Sequence, residues 1–272
     1  MLSIVRGVAD ALASVLFPAP CQMYGAVLTT ACALPICEAC FASLQPLRGP
    51  LCLCCGRPFA FEVTLEAQIP KCFACRREVY AFESFGAYTD QMVRAIGLLK
   101  YEKLSRLGQW FADRLHEATQ TKPALRAVDV VVPVPLPPAR LREPGYNQAE
   151  LIAKPLARKL RLPLGSYLLV RTKPRPPRLL LSRRERWLTV RGAYEIRKGA
   201  RVDNLRVLLI DDVFTTGAIL DACARALKKA GAKSVIGLTV ARAISQADPN
   251  AARLTDGVKT LRPPSASKGE KD

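Results

Sequence analysis

Apolar positions follow two regimes along this chain. Leu2, Val5, Ala9, Leu12 and Leu16 recur at helical spacing, which predicts an amphipathic docking helix kept at the N-terminus. After Phe85, continuous apolar runs alternate with helix-period segments. Val128 to Val132, Val207 to Ile210 and Val235 to Val240 are β-branched or leucine-rich, as strands buried on both faces of a parallel sheet are. Gln148 to Leu160 and Ala218 to Ala230 read as helices, the second closed by Gly231. Another helix is expected over about Leu104 to Ala118, with His116 on its surface. Strand, loop, helix and strand at this spacing make a βαβ unit, so the fold class is α/β, a parallel sheet flanked by helices.

Half of the 272 residues are hydrophobic and 24% are charged, which excludes wholesale disorder. No run reaches the roughly 18 to 20 apolar residues that a membrane span needs. Asp10 interrupts the short apolar start, no A-x-A-like site follows, and Pro20 precedes Cys21. Neither a secretory signal nor a lipid-modified cysteine is therefore expected, and a cytoplasmic location is. Residues 246–272 turn polar and rich in Lys, Ser and Pro, the composition of a disordered tail. With His116 as the one histidine, mechanisms that need two are excluded.

Nine of the ten cysteines lie between Cys21 and Cys75, and the next 147 residues hold none before Cys223. This clustering marks residues 1–83 as a separate small module ahead of an α/β domain over 84–245. Cys52-x-x-Cys55, followed by Gly56, and Cys72-x-x-Cys75 are separated by 16 residues. Two-residue spacing lets both thiolates of a tight turn reach one tetrahedral ion, so these four read as a zinc ribbon. Cys37 and Cys40 make a third pair, with Cys21 as an upstream ligand and Tyr24 where a first knuckle would have cysteine. Either Cys32 substitutes from an unusual position or this site is incomplete. Four thiolates leave no open coordination position, so zinc here would be structural. Disulfides are the alternative, disfavoured in a reducing compartment. Cys54 and Cys223 read as buried or spare thiols. Phe59, Phe61, Lys71, Phe73, Arg76 and Arg77 mix aromatic and basic side chains, as a single-strand binding surface or a small ribbon core would.

The segment Leu208-Leu209-Ile210-Asp211-Asp212-Val213-Phe214-Thr215-Thr216-Gly217-Ala218 carries the most chemistry. A buried strand delivers two carboxylates, and a Thr-Thr-Gly turn opens a helix. Backbone N–H groups of that turn, the hydroxyls and the helix's positive end suit a phosphate monoester. Asp211 and Asp212 can accept hydrogen bonds from the vicinal hydroxyls of a ribose.

This run resembles the phosphoribosyl-diphosphate (PRPP) motif of type I phosphoribosyltransferases. Val131 to Leu136, Arg140, Arg142, Gly145-Tyr146-Asn147-Gln148-Ala149, Leu99-Lys100-Tyr101 and Ser182 to Tyr194 narrow the likeness. Together with the cysteine pairs, they make the chain similar to the ComF family, also seen as GntX-like proteins, from Phe17 to about Arg242. The resemblance implies a type I phosphoribosyltransferase-like sheet behind a double zinc ribbon, and a role with single-stranded DNA during natural transformation. It also implies a PRPP site with Mg²⁺ at Asp211, Asp212, Thr215, Thr216, Gly217 and Ala218, joined by Pro135 and Lys100. A competence helicase is the implied partner. Arg178 to Arg191 stands in the place of a catalytic flap, which makes Arg183, Arg184 and Arg186, with Asp211 and Asp212, the catalytic candidates. A solvated basic loop or a DNA contact is the alternative for the three arginines. The chain departs from the family at Tyr24, Pro144, Arg178, Thr189 and Ile219, where a hydroxyl to the phosphate is missing.

Charge adds a direction. The net charge is +18, and between Arg140 and Arg206 there are 18 basic residues against 5 acidic. Such a field attracts polyanions. Trp187, Tyr194 and Tyr146 lie among these charges as candidates to stack on bases, or as core. Three readings stay open: a nucleic-acid binding protein that keeps the fold, a transferase with an unknown acceptor, and a PRPP-sensing regulator.

Overall fold

The computed structural model describes residues 20–28, 34–52, 54–59, 72, 81–137, 146–174 and 183–244, apart from the side chains of residues 183, 184 and 186. The N-terminal helix, Cys32, Cys75, Arg140, Arg142, Arg178 and the C-terminal tail lie outside this set, as do Phe61, Lys71, Phe73, Arg76 and Arg77.

Four strands form one parallel sheet in the order β1-β6-β5-β2: β1 (Ala81–Ala87), β2 (Val130–Pro133), β5 (Arg206–Phe214) and β6 (Ser234–Arg242). The three expected runs occupy the centre and one edge. β5 and β6 are joined by a helix, α7 (Ala218–Lys229), the βαβ unit read from the sequence. Alternate residues of β5 serve opposite faces: Leu208 and Ile210 enter one core, Val207 and Leu209 the other. On the first face pack α2 (Asp90–Lys100), α3 (Arg106–Thr121) and α5 (Gln148–Leu160), burying Ile96, Phe111 and Ile152. On the second packs α7, through Leu220, Ala224 and Leu227. The short helices α1 (Glu38–Ser43), α4 (Pro123–Arg126) and α6 (Arg183–Val190) complete the helical set among the described residues. His116, on α3, is half-buried beside Gln120.

Helix α5 keeps the predicted bounds although Pro155 lies inside it. Proline removes the hydrogen bond that would reach back to Leu151. The Leu151 carbonyl instead abuts Gly108 of α3, where a Cβ would lie 2.5 Å from its oxygen.

β1 and two further strands were not read from the sequence. β3 (Leu169–Arg171) and β4 (Tyr194–Ile196) pair antiparallel, outside the main sheet. β1 mixes apolar and small polar positions, and its outer edge is covered by the cysteine-rich segment. Leu47 N–H donates to the Phe85 carbonyl at 2.6 Å, and Phe82 N–H to the Cys54 carbonyl at 2.9 Å. These contacts leave less of the edge open to another strand.

Candidate phosphate site and cysteine clusters

The backbone of β5 continues four residues past Ile210, pairing Asp211 with Thr239 and Phe214 with Arg242. Its apolar run stops earlier because Asp211 and Asp212 line a cavity instead of a core. The Asp212 N–H donates to Asp211 Oδ1 at 2.9 Å. Lys100 Nζ, from the last turn of α2, lies 2.6 Å from Asp212 Oδ2. Next comes the turn Thr215 to Gly217, with Gly217 at φ +74°. A side chain there would be strained, and its Cβ would stand 2.6 Å from the Phe214 ring. Thr216 Oγ1 accepts from the Ala218 N–H at 3.4 Å, and the positive end of α7 faces the turn.

The cavity holds about 210 Å³ and is lined by Lys100, Pro135, Asp211, Asp212 and Thr215, with Asn147, Arg171 and Ile219. Five of the expected residues therefore share one concave wall. Thr216, Gly217 and Ala218 shape the turn beside it. Arg183 and Arg184 open α6, with Arg186 one turn on, and their side chains lie outside the described set. Helix α6 packs against α7 and borders a larger cavity of about 780 Å³, walled by Trp187, Arg191, Tyr194 and Arg225.

Arg171 escaped the sequence reading. It is 5% exposed, and its guanidinium donates to the Tyr194 hydroxyl at 2.8 Å and to the Lys173 carbonyl at 2.9 Å. Burial, then the charges of Cys223 and Asp211, push the Tyr194 phenol well up. Tyr194 is 4% exposed, borders both cavities and has the Arg171 guanidinium 5.2 Å over its ring, so it is a core residue. Tyr146 is tied through its hydroxyl to the Leu99 carbonyl, while Trp187 remains half-buried on the larger cavity's wall. The one available sequence signal was position: Arg171 takes the inward place in the Leu-Val-Arg alternation of β3. Cys223 is a buried thiol of α7, pushed up by desolvation.

The cysteines gather in two clusters, Cys21 with Cys37 and Cys40, and Cys52 with Cys55 and Cys72. Cys21 and Cys40 belong to the α2/α3 core, and Cys52, Cys55 and Cys72 to the α7 core, so the clusters pack on opposite faces of the sheet. Within each cluster the sulfur atoms all lie within 4.8 Å of one another. Cys21 Sγ and Cys40 Sγ are 3.7 Å apart, and Cys55 Sγ and Cys72 Sγ 3.6 Å. A tetrahedral ion with 2.3 Å bonds to sulfur needs a separation of about 3.8 Å, so both clusters fit zinc. Burial raises the Cys52 thiol, but the backbone N–H groups of Cys72, Cys55 and Cys54 outweigh it and bring it down to about 7. Cys72 N–H reaches Cys52 Sγ at 3.2 Å. The Tyr24 phenol is pushed up by hydrogen bonding and charge from Cys37, then by burial and the charges of Cys40 and Cys21.

Residues 147–261 match the phosphoribosyl transferase domain, a span that holds the strand, the paired acids and the Thr-Thr-Gly turn. The match covers less than half of the chain, and most of the chain is similar to competence and DNA utilization proteins. It is 26% identical over 215 residues to Competence protein F of Haemophilus influenzae, covering 76% of this chain and 90% of that one. To Competence protein ComFC of Bacillus subtilis it is 28% identical over 215 residues, covering 76% and 84%. To the DNA utilization protein YhgH of Salmonella typhimurium it is 27% identical over 206 residues, covering 74% and 87%. At the start of the matched span, Asn147 caps α5 by accepting from Ala149 N–H and also donates to the Val134 carbonyl. It thereby ties the β2 loop to the cavity wall. Among the described residues no helix is long and apolar enough to cross a membrane.

Proposed function

We propose that this protein handles single-stranded DNA in the cytoplasm during natural transformation and binds PRPP, or a related sugar phosphate, at the turn that ends β5. The carrying observation is the convergence of Asp211, Asp212 and Thr215 on one cavity at the start of α7. The 5-phosphate rests against the Thr215 to Ala218 backbone, where N–H groups and the helix end favour an anion. Asp211 and Asp212 accept hydrogen bonds from the ribose hydroxyls, Lys100 moves from Asp212 to the anionic ligand, and Pro135 lines the same cavity. Asp211 and Asp212 would also hold a Mg²⁺ ion bound with the diphosphate, which would neutralise part of its charge. Arg183, Arg184 and Arg186 serve the diphosphate or the DNA backbone from α6. Residues 1–83 act as the zinc-held module, except that Ala81 to Glu83 open β1 of the main sheet, and 84–245 act as the sugar-phosphate domain, with a competence helicase as partner.

The names of the homologues and the basic stretch from Arg140 to Arg206 support the DNA role. A transferase reading draws on the larger cavity, which adjoins the small one across Tyr194 and offers space for an acceptor. One experiment separates the readings: binding of a labelled single-stranded oligonucleotide, measured against salt for the wild type and for the double variant Asp211→Ala, Asp212→Ala. The DNA role requires the logarithm of affinity to fall with log salt at about −0.7 per phosphate neutralised, equally in both proteins. A flat response removes it. Diphosphate release from PRPP, lost in the double variant, would favour the transferase.

A further inference from the structure

The two cysteine knuckles are copies of one another, and the copy shows what Tyr24 replaces. In the second knuckle, Cys52 N–H donates to the Arg57 carbonyl at 2.7 Å and Gly56 N–H to the Cys52 carbonyl at 2.8 Å, with Gly56 at φ +66°. Residues Leu51 and Pro58 close it as an antiparallel bridge. In the first, Cys21 N–H donates to the Ala26 carbonyl at 2.7 Å and Gly25 N–H to the Cys21 carbonyl at 2.7 Å, with Gly25 at φ +86°. Pro20 and Val27 close it in the same way. Every equivalence keeps one offset along the chain, so Cys21 stands for Cys52, Gly25 for Gly56 and Tyr24 for Cys55. The distal halves agree as well. Cys37 N–H meets Cys21 Sγ at 3.4 Å, as Cys72 N–H meets Cys52 Sγ at 3.2 Å.

A thiolate at the Cys55 position points at the ion site. At the first knuckle that position carries the phenol of Tyr24, which packs with Cys37 against the core that holds Cys21 and Cys40. We infer that the Tyr24 oxygen is the fourth donor of the first metal site, which holds a thiophilic divalent cation, zinc in the cell, with Cys21, Cys37 and Cys40. On binding, three thiols and one phenol release their protons to solvent, and four donors close the tetrahedron. Three sulfurs and one harder oxygen bind such a cation less tightly than four sulfurs. The first site is therefore the exchangeable one of the pair and the second the permanent one. This assignment is independent of what the phosphate turn binds.

Zinc counting on the full chain under graded chelator, together with Co²⁺ substitution, tests it. Wild type is expected to carry two zinc ions, one lost at lower chelator than the other. Tyr24→Phe should lower the affinity of that first ion at least tenfold, and Tyr24→Cys should raise it at least tenfold. The Co²⁺ spectrum of Tyr24→Cys should shift to that of two all-sulfur sites. Cys32→Ser should change nothing. A wild-type count of one, loss of an ion in Cys32→Ser, or an unchanged Co²⁺ spectrum in Tyr24→Cys would each overturn the assignment. The spectrum of the second site reports folding in every variant, and the gain in Tyr24→Cys does not depend on Tyr24→Phe folding.

Discussion

Arg242, at the end of β6, reaches Cys55: its Nη2 lies 3.6 Å from the sulfur, Nη1 donates to the Cys55 carbonyl, and the guanidinium lies 4.4 Å over the Phe214 ring. One buried cation thus joins a cysteine knuckle to the residue on which Gly217 packs. Arg242→Met keeps the length of the side chain but not its donors. It should destabilise the protein by about 2 kcal/mol, the range for a hydrogen bond to a charged group. It should also speed removal of the second zinc by chelator. Urea unfolding and a zinc-release assay read the two effects.

Gly217 is the tightest point of the phosphate turn. Gly217→Ala places a methyl at positive φ and within 2.6 Å of the Phe214 ring, and should cost about 1 to 3 kcal/mol. Since the turn must shift, PRPP affinity should fall at least tenfold, while DNA affinity stays within a factor of two. Calorimetric titration and fluorescence anisotropy check the pair.

Ile219 lines the small cavity where the ComF resemblance expects a hydroxyl. Ile219→Thr supplies one. A new hydrogen bond of about 0.5 to 1.5 kcal/mol corresponds to a gain in phosphate affinity of roughly two- to tenfold. Competition by inorganic phosphate measures it.

Asp129 clamps the start of the sheet. Its carboxylate accepts from Arg206 Nη2 at 2.6 Å, Nε at 3.0 Å and the backbone N–H at 2.8 Å. The Arg206 side chain and backbone hold its pKa down to about 2, against an ordinary 3.8. A depressed acid stabilises the fold above its ordinary value and loses that contribution as pH falls toward the folded one. Asp129→Asn should therefore be less stable than wild type at pH 7, with the gap closing between about pH 4 and pH 2. Thermal unfolding across that range tests the sign.

The sheet's central strands were legible because they are buried on both faces, which makes Val207 to Ile210 continuously apolar and leaves Val235 to Val240 apolar except at Gly237 and Thr239. β1 was not legible. Glu83, Ser84 and Gly86 break its pattern, yet it pairs with β6, and Ser84 bonds Thr239 at 2.7 Å inside the core. The phosphate turn could be read because Asp-Asp and Thr-Thr-Gly are chemically unusual beside a buried strand. Arg171 and Arg242 could not, since a buried arginine looks like a surface one until its partners, Tyr194 and Cys55, are brought to it. Tyr24 could be read as standing where a first knuckle has cysteine, whereas the backbone hydrogen bonds that match Cys21 to Cys52 and Gly25 to Gly56 could not, because no residue type announces them.

The sugar-phosphate site is tested most directly by calorimetric titration of PRPP with Mg²⁺ into the full chain and into the double variant Asp211→Asn, Asp212→Asn. The account predicts saturable binding at one site per chain in the wild type and at least a tenfold loss in the variant, with zinc content unchanged. Equal binding by both proteins, or no heat with the wild type, would contradict it.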